Sequence, residues 1–429
     1  PISNINLIER YKDISEIFPT NEIGGKVLPY FIDWLIDNVI FVEIETLSDD
    51  DAYIIFETMN DRGLSLTPSE MLKGYLLSQS GSQENKKELD EFWKNKISEL
   101  KKNDKVQDLE FFKAWLRAKY AESIREKKKG SENEDFEIIG TKFHKWVRDN
   151  KNKIGLRTEN DFCKFITEKF KFYSGLYLKI HNASENFQKE LEFIYYIEER
   201  AFPISFYFPI LMAPIKLTDD EDTTNKKLAL VSKFLEMFIV FRSINRRTLA
   251  YSSIIYTMFN LVKEIRDKDI QELAEILKNK VKFDEDLSVM KDFLSERIDI
   301  QEFGEILKDK VKKVKKFAED LSGMKDLTLQ QNKSFIHFLL ARITRYIEEK
   351  CNIVGRFEDY MNSNPKNPFE VEHIWSDNFE EHKDEFQQKD EWESYRNKIG
   401  ALILLPKSFN QSYGKLSYEK KLPHYFGQN

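Results

Sequence analysis

Near the C-terminal end an acid stands beside a histidine in Val371-Glu372-His373-Ile374-Trp375, inside an alternating apolar segment. Downstream come Asn397, in Arg396-Asn397-Lys398-Ile399-Gly400, then Asn410 in Phe409-Asn410-Gln411, and the pair Lys420-Lys421. These residue types in this order suit phosphodiester hydrolysis. That reaction needs an in-line water, a base to deprotonate it, and positive charge on the phosphate and the leaving oxygen. A neutral imidazole has the right pKa for the base near neutral pH. A hard divalent ion, held by a carboxylate and an amide oxygen, supplies the charge and keeps open positions for phosphate and water.

The elements that must position these groups are short. Val371–Ile374 alternates as a strand, and Ala401–Leu405, after a turn at Gly400, makes a second and more buried one ending at Pro406. Tyr418–Tyr425 reads as a lysine-rich helix, from which Lys420 and Lys421 would meet phosphate. Neighbouring residues on a strand face opposite ways, so a regular strand separates Glu372 from His373. Both serve one site only where the strand bends or ends. A lone Glu-His pair is ordinarily a surface ion pair and a lone asparagine a cap or turn; the ordered set carries the nuclease reading.

Glu372-His373-Ile374, then Asn397-Lys398-Ile399-Gly400 with Leu402-Ile403-Leu404-Leu405, then Asn410 and Lys420-Lys421, resembles the HNH (His-Me finger, ββα-metal) domain that closes GmrSD-type restriction endonucleases. The resemblance implies His373 as general base, Glu372 and Asn410 as ligands of Mg²⁺ or Mn²⁺, and Asn397 as a residue that orients the histidine or braces the loop. It departs from the family at Ala401, where Gly-Asn-Leu is usual. A second block, Phe56-Glu57-Thr58-Met59-Asn60-Asp61-Arg62-Gly63 followed by Leu66, Glu70, Lys73 and Leu76-Leu77, resembles the latter part of the ParB-like N-terminal domain of the same proteins. The family's upstream Asp-Gly-Gln-Gln-Arg stretch, tied to nucleotide use, does not occur here, so no nucleotide-hydrolysing role carries over. Asn60 and Arg62 read as a structural corner in preference to a ligand contact.

Composition sets the outer limits. The 429 residues suggest about two or three domains with ample cores. With 33% charged residues, 14% aromatics, 15 Gly and 11 Pro, the chain reads as mainly helical and soluble. A net charge of −7 does not advertise nucleic acid, although local basic patches decide phosphate contact. Cys163 and Cys351 cannot form a disulfide framework and are expected as buried thiols in a reducing cytoplasm. No apolar run is long enough to span a membrane and no signal peptide is visible. Opening on Pro1 rather than Met, the chain reads as trimmed or partial.

Between the two blocks lies a long helical middle, with amphipathic segments expected at 84–100, 106–123, 136–149, 160–178, 185–199 and 227–241. Pro203, Pro209 and Pro214 are expected to break residues 201–214. Arg246 and Arg247, with Arg242, form either a backbone-phosphate clamp or a complement to the carbonyl end of the preceding helix. Glu275-Ile276-Leu277-Lys278 recurs as Glu305-Ile306-Leu307-Lys308, which suggests a duplicated helical hairpin leading to the Lys312–Lys316 run. Ile336, Leu339, Leu340, Ile343 and Ile347 mark the helix before the site.

The expected architecture is therefore mainly α: a remnant ParB-like domain at 1–80, a helical middle at 81–350, and an HNH-like ββα-metal domain at 351–429. The expected function is Mg²⁺- or Mn²⁺-dependent cleavage of foreign or modified DNA. The competing reading is a non-catalytic helical protein that binds nucleic acid or a partner and carries a decayed nuclease domain. A toxin acting on RNA differs only in substrate.

Overall fold

The computed structural model describes residues 2–19, 23–40, 66–81, 83–102, 107–200, 202–244, 248–282, 329–353, 357–361, 366–413 and 416–426. The expected strand at 41–45, the Phe56–Gly63 block, Arg246, Arg247, the second copy of the repeat and the Lys312–Lys316 run lie outside them. The chain is mainly helical and divides into two compact units, Pro1–Gln79 and Ser80–Asn429. Among the described residues no helix is long and apolar enough to cross a membrane.

The first unit holds α1 (Ile2–Ile17), α2 (Leu28–Asn38) and α3 (Pro68–Ser78). The start of α3 follows from local chemistry. Thr67 Oγ1 accepts from the Glu70 amide at 3.3 Å while the Glu70 carboxylate takes the Thr67 amide at 2.8 Å, with Pro68 just inside the helix. Such a reciprocal cap contributes about 1 kcal/mol.

In the second unit the helical body runs through α4 (Gln83–Leu100), α5 (Gln107–Tyr120), α6 (Asp135–Asp149), α7 (Glu159–Lys164), α8 (Lys171–Glu185), α9 (Glu192–Glu199), α10 (Ile204–Met212), α11 (Glu221–Ile244), α12 (Tyr251–Ile265), α13 (Ile270–Lys282) and α14 (Leu329–Lys350). The aromatic stripe of α5 forms its centre: Phe111, Phe112 and Trp115 are fully buried against Phe143, Phe165 and Phe170. A π-helical turn, Phe165–Phe170, joins α7 to α8 and turns both of its end phenylalanines inward. Two breaks expected from sequence do not occur. Helix α8 continues through Asn182-Ala183-Ser184, because Ala183 is buried and the Ser184 hydroxyl donates back to His181 O at 2.8 Å. Helix α10 passes through Pro209, held by side chains buried from Phe206 to Met212. Burial there outweighs the hydrogen bond that proline forfeits.

Buried cations fasten the helix ends. Arg117 donates through Nε and Nη2 to Phe136 O at 3.1 and 3.0 Å. Lys119 Nζ donates to Ala213 O and Asp267, and Lys227 Nζ to Pro214 O at 3.0 Å and Asp219 at 2.7 Å. Both lysines thus satisfy carbonyls that a helix terminus leaves unpaired.

After the short helix α15 (Phe357–Tyr360) come β1 (Phe369–His373), α16 (Lys389–Arg396), β2 (Leu402–Pro406), α17 (Lys407–Tyr413) and α18 (Tyr418–Phe426). The strands pair antiparallel, with Glu372 opposite Ile403 and His373 opposite Leu402. Leu402 and Leu404 share one buried cluster with Phe335, Ile336, Phe338 and Leu340 of α14 and with Phe357 and Tyr360 of α15; Phe369 and Val371 pack against it. The core therefore runs without a break from the helical body into the hairpin.

Candidate active site

Strand alternation sorts the first strand. Phe369 and Val371 lie toward the shared core, so Glu370 and Glu372 take the other face, toward α17 and α18. His373 is the last residue of β1, and the next amide, that of Ile374, donates to Ala401 O at 2.9 Å. The strand ends where the expected base stands.

His373 Nε2 lies 3.0 Å from Asn397 Oδ1. Asn397 caps the C-terminal end of α16 and is buried, and its Nδ2 donates to Glu393 O at 2.7 Å. Because that carbonyl can only accept, the amide's oxygen is the atom turned to the imidazole. Nε2 must then carry the proton, which leaves the lone pair on Nδ1. Burial pushes the His373 pKa below the ordinary imidazole value, with Arg396 adding to the depression; the Asn397 hydrogen bond and the charges of Glu372 and Asp377 oppose it. The ring is consequently neutral at neutral pH. Arg396 also donates from Nε to Trp375 O at 3.3 Å and Ser376 O at 3.2 Å, holding the segment that leaves the strand.

On the opposite face the partners differ from those expected. Glu372 is buried, and its Oε1 receives Lys421 Nζ at 2.6 Å. The same ammonium donates to His373 O at 2.8 Å, and Lys421 has no exposed surface. Lys421, expected at the DNA backbone, is instead an interior cation, because α18 lies over the carboxylate face of β1. Lys420, one residue away on that helix, is exposed. Asn410, expected beside Glu372, donates its amide to Glu370 Oε2 at 3.0 Å, and Lys407 Nζ stands 3.9 Å from Glu370 Oε1. Glu370 was missed in the sequence, although its spacing of two from Glu372 on a strand places both on one face.

His373 and Asn397 are thus brought together, as are Glu372 and Lys421, while Asn410 meets Glu370 in place of Glu372. Of the other histidines, His337 Nε2 meets Tyr360 O at 2.6 Å, His181 Nδ1 lies 3.4 Å from Glu185, His382 stacks on Trp375 at 5.0 Å, and His424 stacks on Tyr413 at 4.6 Å. Neither cysteine is the buried thiol expected: Cys163 is half-buried and Cys351 exposed.

Among the described residues no three His, Cys, Asp or Glu side chains gather to hold a metal. A cage of protein ligands, as zinc requires, is therefore not formed by them. Mg²⁺ asks for less, since it binds through one or two carboxylates and completes its shell with water and substrate phosphate. Glu370, Glu372 and the Asn410 amide are oxygen-bearing groups around one strand face, and their chemistry fits such an ion.

Residues 2–77 match the N-terminal domain of GmrSD restriction endonuclease, and residues 311–429 match the C-terminal domain of GmrSD restriction endonucleases. No curated protein and no solved structure matches the chain. The chain thus carries, in their order along a single polypeptide, regions similar to both terminal domains of the GmrSD-type restriction endonucleases.

Proposed function

We propose that this protein is a restriction endonuclease that cleaves foreign or modified DNA by metal-dependent hydrolysis at an HNH-type site, with His373 as the general base. The observation that carries the reading is the hydrogen bond from His373 Nε2 to Asn397 Oδ1, which leaves Nδ1 free to take a proton. Depression of the imidazole pKa keeps that lone pair available at neutral pH. Glu372, with Asn410 and Glu370 on the face of β1 opposite His373, would hold Mg²⁺ or Mn²⁺, which when bound supplies positive charge at the phosphate, and ion and base would meet around the end of the strand at His373. His373 deprotonates the attacking water, Asn397 fixes the ring's tautomer and plane, and exposed Lys420 offers a cation to the DNA backbone.

His373→Ala should abolish plasmid cleavage in Mg²⁺ while leaving the helical fold and DNA binding intact. Nicking that persists in this variant overturns the assignment of the base. The ion pair of Glu372 with Lys421, together with Ala401, favours a second reading, a DNA-binding protein whose nuclease site has decayed. Wild-type protein that binds DNA but leaves plasmid intact with and without Mg²⁺ would select it.

A further inference from the structure

Lys421 has an arrangement that a surface phosphate contact does not need. Its side chain is wholly buried, its ammonium lies 2.6 Å from Glu372 Oε1, and it also donates to the His373 carbonyl at 2.8 Å. One cation thus touches the acid and the backbone of the base. Helix α18 places Tyr425 one turn further along, and its buried hydroxyl has no hydrogen-bond partner among the described residues. The Glu372 carboxylate is covered by α18 with its negative charge already paired.

We propose that Lys421 is the resident counter-cation of Glu372, and that a divalent ion enters the site by displacing it. The inference rests on the reading of Glu372 as an ion-binding carboxylate. Two cations on one carboxylate oxygen repel strongly, the more so where water is excluded, so the ammonium and a divalent ion compete for Glu372. A buried carboxylate without any cation is costly, and Lys421 keeps the acid charged and in place until the ion arrives. Displacement turns the ammonium away from the strand.

The test measures Mn²⁺ binding to the full chain by electron paramagnetic resonance, without DNA. Lys421→Met should bind Mn²⁺ at least about 10-fold tighter than wild type, because the competitor is gone. Lys421→Gln, which keeps an amide donor for the His373 carbonyl without the charge, should do the same and serves if the methionine variant fails to fold. In wild-type protein, acetylation of Lys421 followed by mass spectrometry should be slow without Mn²⁺ and rise when Mn²⁺ is added. Affinity that is unchanged or weaker in both variants, or Lys421 labelling indifferent to Mn²⁺, overturns the proposal. If wild type still cleaves DNA in Mg²⁺ in that case, the nuclease reading stands and only the displacement falls; absence of both Mn²⁺ binding and cleavage removes the two together.

Discussion

Asn397 offers the sharpest test, because two substitutions there should move His373 in opposite directions. In Asn397→Ala the imidazole Nε2–H loses the oxygen it meets at 3.0 Å, and Glu393 O loses the amide at 2.7 Å. An unmet donor in a half-buried place costs about 1–3 kcal/mol. Spent on orienting the base, that loss slows cleavage about 10- to 100-fold. The hydrogen bond also raises the imidazole pKa against burial, so its loss takes the pKa further below the ordinary value. Asn397→Asp instead sets a carboxylate against Nε2, which favours the imidazolium and raises the pKa. In wild type the folded pKa lies below the unfolded one. His373 therefore contributes stability that is present above the unfolded imidazole pKa and lost as pH falls through the folded pKa. In Asn397→Asp the raised folded pKa shrinks this contribution, and moves the pH at which it is lost upward. Proton NMR resolves the titration, since the chain has only six histidines. Single-turnover cleavage against pH should show its acid limb displaced upward in Asn397→Asp and downward in Asn397→Ala. Titrations of His373 that coincide in wild type and both variants would refute the account.

A Cβ added at Gly140 falls on the Arg117 guanidinium, 3.2 Å from its Cζ, and Arg117 is buried and bonded twice to Phe136 O. Gly140→Ala should cost about 1–3 kcal/mol in urea denaturation through overpacking at that fork, and an unchanged midpoint would show that Arg117 moves freely. Replacing Arg246 and Arg247 together with Ala should flatten the dependence of DNA affinity on salt, by close to one in log-log slope for each lost phosphate contact; a slope equal to wild type ends the clamp idea.

Much of the architecture follows from local spacing. The aromatic stripe of α5 and the reciprocal cap at Thr67 and Glu70 depend on residues three or four apart, and such neighbours meet whenever a helix forms. The end of β1 at His373 accords with the turn signalled by Gly400, whose neighbour Ala401 accepts the Ile374 amide across the hairpin. Where burial overrides propensity, as at Pro209 and Ala183, the linear pattern misplaces the breaks, since no spacing reveals how completely a helix is surrounded.

The site divides in the same way. Residue types and order alone determined that an acid and an imidazole would lie together on a short strand paired with a second one, and period-two alternation already separated Glu372 from His373; the helix that Asn397 caps between the strands was not legible in them. Only the tertiary structure decided which partner each acid meets. Lys421 lies 49 positions from Glu372, and Asn410 lies 40 from Glu370. A buried carboxylate takes the nearest cation, and which one is nearest depends on the helix that covers that face of the strand. That choice is made by the packing of α18 and not by any neighbour in the chain.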